Sequence, residues 1–210
     1  MTELPSGVST VEVGGETRLA TQGDSVYGEP TVDGWRVWAG GRSKLAAMLE
    51  VGLPVSFDPE TTALYLGAGA GTTVSHLADA VSRVYAVEFA PRPGRRLLEV
   101  AHERSAVIPL LKDARRPESY AHVVESGCEL LVQDVATTNQ ASIASDHRRF
   151  LADGAQVAVS IKARSEDVTA DPQDVFDDAL STLDETYELV EHASLAPYHD
   201  DHLGIIARVP

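Results

Sequence analysis

The segment 63–74 constrains the fold more than any other. An apolar run, Ala63-Leu64-Tyr65-Leu66, ends in Gly67-Ala68-Gly69-Ala70-Gly71 and passes through Thr72-Thr73-Val74 into a helical pattern. A short apolar run bounded by turn residues reads as a strand buried on both faces. Glycines after it let the backbone take left-handed conformations and let a ligand come close. From here onward, apolar runs at 63–66, 83–88, 107–111, 129–134, 156–161, 187–195 and 202–209 alternate with helical stretches at 73–81, 92–105, 140–151 and 172–186. That alternation implies a mostly parallel sheet covered by helices on both faces. Only 196–201 separate the last two runs, too few residues for a crossover, so they should close the sheet as an antiparallel hairpin.

The chain before this point reads differently. Alternating residues at 8–13 and 16–20 flank Gly14-Gly15, a hairpin signal, and 42–51 has helical composition before Gly52-Leu53-Pro54. Residues 1–52 are therefore expected to form a small β appendage with a connecting helix, and 53–210 the main domain. Trp35-Arg36-Val37-Trp38 should set two indoles on one side of a strand, for core packing, a protein contact or stacking on RNA. Met1-Thr2-Glu3-Leu4-Pro5 has neither the basic nor the apolar region of a signal peptide. No apolar run approaches the ~20 residues that span a bilayer. A cytoplasmic location without a membrane partner is expected.

The glycine turn gains meaning from the strand ends around it. Glu88 closes the second strand about 20 residues after the glycines, where an acidic residue can accept from both ribose hydroxyls of a nucleoside cofactor. The helix start at Thr72 and Thr73 offers free N–H groups. Lys112-Asp113-Ala114 follows the third strand and Asp134 the fourth, and ligands in open α/β sheets bind beyond the carboxyl ends of strands. Asp113 can accept from an adenine amino group while the Ala114 N–H meets a ring nitrogen. An antiparallel strand closing a mostly parallel sheet is also the arrangement of the S-adenosylmethionine-dependent methyltransferase fold. The expected fold class is thus a seven-stranded, Rossmann-like methyltransferase fold with an N-terminal β appendage. Two other classes stay open: a nicotinamide-dependent oxidoreductase, disfavoured because Thr72 stands where G-x-G-x-x-G needs glycine, and a non-catalytic scaffold subunit with the same fold.

Charge qualifies these readings. Asp and Glu number 32 against 17 Lys and Arg, a net charge of −15. Alone, that argues against a polyanionic partner. The excess is diffuse and there are three lysines, Lys44, Lys112 and Lys162, the pattern expected of a protein adapted to high salt, where the Debye length falls to ~3 Å at 1 M. Affinity driven by counterion release would collapse there, so an RNA substrate would need partner proteins to hold it. Cys128 is the single cysteine, which excludes an internal disulfide and reads as a buried structural thiol. No His, Cys and carboxylate set has metal-binding spacing, so no metal is expected.

At this point LYLGAGAGTTVSHLAD at 64–79 and VYAVEFAPRPGRRLL at 84–98 closely resemble fibrillarin. VYGE at 26–29, RSKLAA at 42–47, IPLLKDARRPESY at 108–120, QDVAT at 133–137, SIKAR at 160–164 and PYHDDH at 197–202 extend the resemblance in order along nearly the whole chain. It implies S-adenosylmethionine-dependent methylation of ribose 2′-hydroxyls in rRNA or tRNA, directed by a box C/D guide RNA. The implied partners are a Nop-family scaffold and a kink-turn-binding ribosomal-type protein. The implied cofactor positions are Gly67, Gly69, Thr72, Thr73, Glu88, Phe89, Asp113, Ala114, Asp134, Val135, Ala136 and Thr137. The implied catalytic group is Lys44, Asp134 and Lys162, with His202 as a fourth member. Three positions depart from the family pattern: Ala39-Gly40-Gly41 where Asn-Pro-Phe is usual, Thr137 where Gln is usual, and Gly69 where Ser is common.

Overall fold

The computed structural model describes residues 3–210; Met1 and Thr2, which begin the segment read as lacking a signal peptide, lie outside them. Four short strands come first: β1 (Val8–Val13), β2 (Glu16–Gln22), β3 (Thr31–Val32) and β4 (Trp35–Val37), in the antiparallel order β1-β2-β4-β3. The β1–β2 turn works because Gly14 and Gly15 both take positive φ, 63° and 83°, as a two-residue hairpin turn demands. A 3-10 turn at Gly40–Arg42 then leads to α1 (Lys44–Glu50), whose five residues from Leu45 to Leu49 are all buried.

The main sheet has seven strands: β5 (Thr62–Leu66), β6 (Arg83–Val87), β7 (Val107–Leu110), β8 (Cys128–Gln133), β9 (Leu151–Lys162), β10 (Glu188–Ser194) and β11 (His202–Arg208). Their order is β10-β11-β9-β8-β5-β6-β7, with β11 antiparallel to both neighbours and the other pairings parallel. The helices are α2 (Thr72–Ala78), α3 (Pro91–Glu103), α4 (Gln140–Asp146), α5 (Ala163–Glu166) and α6 (Pro172–Asp184). The expected alternation and terminal hairpin are both present. Strand alternation divides the core: Ala63 and Tyr65 face a cluster shared with α1, α2 and the small sheet, while Leu64 and Leu66 face one shared with α4 and α6. Each fully buried leucine contributes roughly 1.5–3 kcal/mol. None of the helices in the described residues is long and apolar enough to cross a membrane.

Two expectations are corrected. The helix expected over 140–151 stops at Asp146, because the buried His147 bonds back to the Ile143 carbonyl (2.7 Å) and across to the Tyr120 hydroxyl (2.5 Å). A 3-10 turn at Arg148–Phe150 then starts β9 at Leu151, well before the expected 156. The two indoles do not share a face. They are three positions apart, an odd spacing that alternation sends to opposite sides. Trp38 is buried and stacks on His76 at 5.2 Å, whereas Trp35 is partly exposed.

Candidate active site

The carboxyl ends of β5, β6 and β8 meet around the glycine turn. The N–H groups of Gly67 and Ala68 both donate to the Val87 carbonyl (3.0 Å), tying the turn to β6. Gly67 has φ 80°, and a Cβ there would lie 2.4 Å from the Asp134 carbonyl oxygen, so only glycine lets β5 and β8 end this close together. Glu88 is buried, and its carboxylate accepts from the N–H groups of Gly69 (2.8 Å) and Ala90 (2.7 Å). These bonds fix the carboxylate beside the turn and leave lone pairs free for a ligand. The Tyr27 hydroxyl, reaching over from the small sheet, donates to the Ala70 carbonyl.

A cavity of about 410 Å³ opens over these strand ends. Gly67, Gly69, Glu88, Phe89, Asp113, Ala114 and the 134–137 segment all line it, together with Lys44. Thr72 and Thr73 stand outside this lining. Thr72 faces a smaller cavity beside Trp38, and the Thr73 hydroxyl donates to Ser43 Oγ (3.0 Å). Phe89 is 64% exposed, and the Arg115 guanidinium lies 5.8 Å from its ring centre. Arg115 also holds Asp113 through two side-chain nitrogens and its main-chain N–H, which keeps that carboxyl below the ordinary aspartate range.

This cavity fits S-adenosylmethionine. Its volume falls in the range of roughly 300–1,000 Å³ typical of small-molecule sites. Acidic acceptors stand at three strand ends, apolar walls come from Val87, Ala114, Val135 and Ile143, and nothing lies within 4 Å of a Cβ built on Gly69. Glu88 can accept from the ribose, Asp113 and the Ala114 N–H can address the adenine, and Asp134 lies nearest the lysines.

At the far rim, Lys44 Nζ forms an ion pair with Asp134 Oδ1 at 3.2 Å. Lys44 is the first residue of α1, and the Ser43 hydroxyl caps that helix by accepting from the Ala46 N–H. Because the same hydroxyl accepts from Thr73, the start of α1 is locked to α2. Burial raises the Asp134 carboxyl above the ordinary value, opposed by the charges of Lys44 and Lys162. Lys162 ends β9 directly opposite His202 on β11, and its charge is also felt at that imidazole. All four residues of the expected catalytic group are therefore brought to one end of the sheet, although Lys162 and His202 do not line the cavity.

His199 is a member of this neighbourhood that sequence reasoning missed. Its ring is 5.5 Å from that of His202, and its Nε2 bonds to the Gly40 carbonyl at 2.8 Å, joining the β10–β11 loop to the turn that precedes Lys44. Burial lowers the pKa of both histidines. The only signal was the density of polar residues in Pro197–His202, which does not say which of them face the site. Among the described residues, no three His, Cys, Asp or Glu side chains gather as a metal site.

The Fibrillarin family profile matches residues 6–210. The chain belongs to the fibrillarin family. A fibrillarin-like rRNA/tRNA 2′-O-methyltransferase from Haloarcula marismortui is 58% identical over 205 residues, covering 98% of this chain and 97% of that protein. A fibrillarin solved in complex with Nop5p superposes with a TM-score of 0.91 at 41% identity, covering 99% of this chain and 100% of that one. Fibrillarin of Aeropyrum pernix, solved with natively bound S-adenosyl-L-methionine, superposes with a TM-score of 0.85 at 41% identity, covering 98% and 96%. Of the Ala39-Gly40-Gly41 departure from the fibrillarin pattern, only the glycine at 40 has close neighbours, and a Cβ on Gly41 would meet nothing within 4 Å. A Cβ on Gly40 would meet the carboxylate end of Glu50 and lie 3.0 Å from Tyr198 Cδ1, so a larger residue there would require the Glu50 side chain to move.

Proposed function

We propose that this chain transfers the methyl group of S-adenosylmethionine to ribose 2′-hydroxyls of rRNA and tRNA, as the catalytic subunit of a box C/D guide-RNA particle. The observation that carries this reading is the Lys44–Asp134 ion pair on the rim of a nucleoside-sized cavity, with Lys162 close enough for its charge to act on Asp134. The names of the Haloarcula and Aeropyrum relatives support it. The Nop5p complex supports a Nop-family scaffold as partner. A kink-turn-binding protein, the guide RNA and a cytoplasmic location complete the proposal. So does a division into an appendage of residues 1–52 and a methyltransferase domain of 53–210.

When bound, S-adenosylmethionine supplies an electrophilic methyl carbon on a sulfonium. The residues of this chain must align the incoming 2′-oxygen with that carbon and take up the hydroxyl proton. Lys162 would orient the hydroxyl or, as its neutral amine, take up its proton. Asp134 would hold the ammonium that Lys162 carries once protonated and pairs with that of Lys44, and Lys44 would stabilise negative charge on the incoming oxygen or grip a substrate phosphate. Lysine suits this task because it can give up a proton where arginine cannot. His202 borders the same group. With a net charge of −15, the chain does not attract RNA by itself, so the partners present the substrate.

The test combines calorimetry in molar KCl with methyl transfer in the assembled particle. Wild type should bind S-adenosylmethionine and not NAD, and Glu88→Ala should weaken that binding. Lys162→Ala should bind the cofactor normally and abolish turnover. Full activity of Lys162→Ala, or selective NAD binding by wild type, would overturn the reading.

A further inference from the structure

The active-site lysine at the end of β9 sits where the sheet supports it on one side only, through β11. The last β8–β9 pair joins Gln133 to Val159, so Ser160, Ile161 and Lys162 run on without a strand on the β8 side. The main chain of Lys162 is nevertheless satisfied there. Its N–H donates to Gln140 Oε1 at 3.0 Å, and its carbonyl accepts from Gln140 Nε2 at 3.1 Å. A carboxamide carries one acceptor and a donor in the same plane, as a peptide group does, so this side chain continues the ladder that β8 has left.

Gln140 is itself held on every side. It is fully buried, and Glu166 accepts from its main-chain N–H (2.6 Å), its Nε2 (3.0 Å) and the Asn139 N–H (2.7 Å). Gln133, the residue before Asp134, donates from Nε2 to the Gln140 carbonyl at 2.8 Å. One residue thus bridges the peptide of Lys162 to the strand end that delivers Asp134.

We infer that Gln140 is a positioning residue for the methyl-transfer reaction, setting the backbone from which Lys162 reaches the 2′-hydroxyl. This rests on the function proposed above. A buried amide hub of this kind fixes geometry better than an apolar side chain could, because both of its polar ends are spoken for.

Because the chain has only three lysines, ¹³Cε-lysine labelling gives three resolvable signals in the free protein. In Gln140→Met, which removes both bonds, and Gln140→Asn, which keeps the amide one methylene too short, the Lys162 signal and its pH titration should move while Lys112 stays put. In the assembled guide-RNA particle, kcat should fall by about a hundredfold in Gln140→Met, since small misplacements cost that much. The KM for S-adenosylmethionine should stay within about twofold. Leu183→Ala, buried near the C-terminal end of α6 and outside the cavity lining, serves as a control for lost stability. An unmoved Lys162 signal in Gln140→Asn, or an equal loss of kcat in a Leu183→Ala protein of matching Tm, would overturn the inference. Absence of methyl transfer by wild type would instead defeat the proposed function, and the lysine signals would still decide whether Gln140 sets Lys162.

Discussion

His76 shows how a single residue couples this fold to pH. Its ring is buried against Trp38, Nδ1 bonds to the Thr21 hydroxyl at 2.7 Å, and Nε2 lies 3.8 Å from Glu29. Burial, reinforced by the positive charge of Arg36, lowers its pKa to about 3. Between about 3 and the ordinary 6.5, the unfolded chain therefore binds a proton that the folded chain refuses. Stability from this group is complete above 6.5 and is lost as pH falls through that window. Glu29 acts in the same direction at lower pH. Burial opposes its ionised form, but donors led by the Tyr27 N–H outweigh this and hold it at about 2. In His76→Phe, the decline of unfolding free energy with falling pH should be shallower by roughly 1 kcal/mol per pH unit below about pH 6, near the limit for one proton. Urea unfolding at constant KCl across this range measures the slope. Identical slopes in the two proteins would mean that His76 is not held neutral.

At the scale of the element, two of the three glycines in the β5–α2 turn differ in the space around them. Gly67 has a positive φ and no room, while Gly69 has a positive φ of 57° and open space. Gly67→Ala must push β8 away at Asp134, so it should lose S-adenosylmethionine binding and several kcal/mol of stability, combining backbone strain with a main-chain clash. Gly69→Ser should cost only about 1–2 kcal/mol for the left-handed conformation and keep cofactor affinity. Calorimetry and urea unfolding on both proteins check this contrast, and equal effects would refute it. The turn, Glu88, Asp113 and Asp134 were legible in the sequence because a parallel sheet delivers each strand end to one edge, and chain order alone places them there. Gln140 and His199 were not legible. An amide at a helix start resembles any helix residue, and which side of a loop a histidine faces is decided by the turn at Gly40–Arg42, which packs against it from more than 150 positions away in the chain. The buried group of Arg36, Glu29 and Asp79 was equally hidden, since charged residues in sequence read as surface.

For the whole molecule, the decisive fact is that the small sheet and the catalytic sheet share one core. Val8, Leu19 and Trp38 belong to the same buried cluster as Val74, Leu77 and Leu130, and Arg36 of β4 pairs with Asp79 just after α2 at 2.6 Å. The two parts proposed to meet at residue 52 are thus joined in their packing. Lys44, carried on α1 between the two sheets, reaches Asp134 only while both are folded. The small sheet should therefore not melt ahead of the rest. Both tryptophans, Trp35 and Trp38, lie in that segment, with Trp38 stacked on His76 of α2, so their fluorescence reports on the small sheet and its seam with α2, whereas far-UV circular dichroism reports on all strands and helices. In molar KCl, where self-repulsion from the net charge is screened, urea transitions followed by the two signals should coincide with one midpoint and one slope, as for a single cooperative unit. A fluorescence transition at clearly lower urea would show the small sheet separating first, and the Lys44–Asp134 pair would then be lost before the catalytic sheet unfolds.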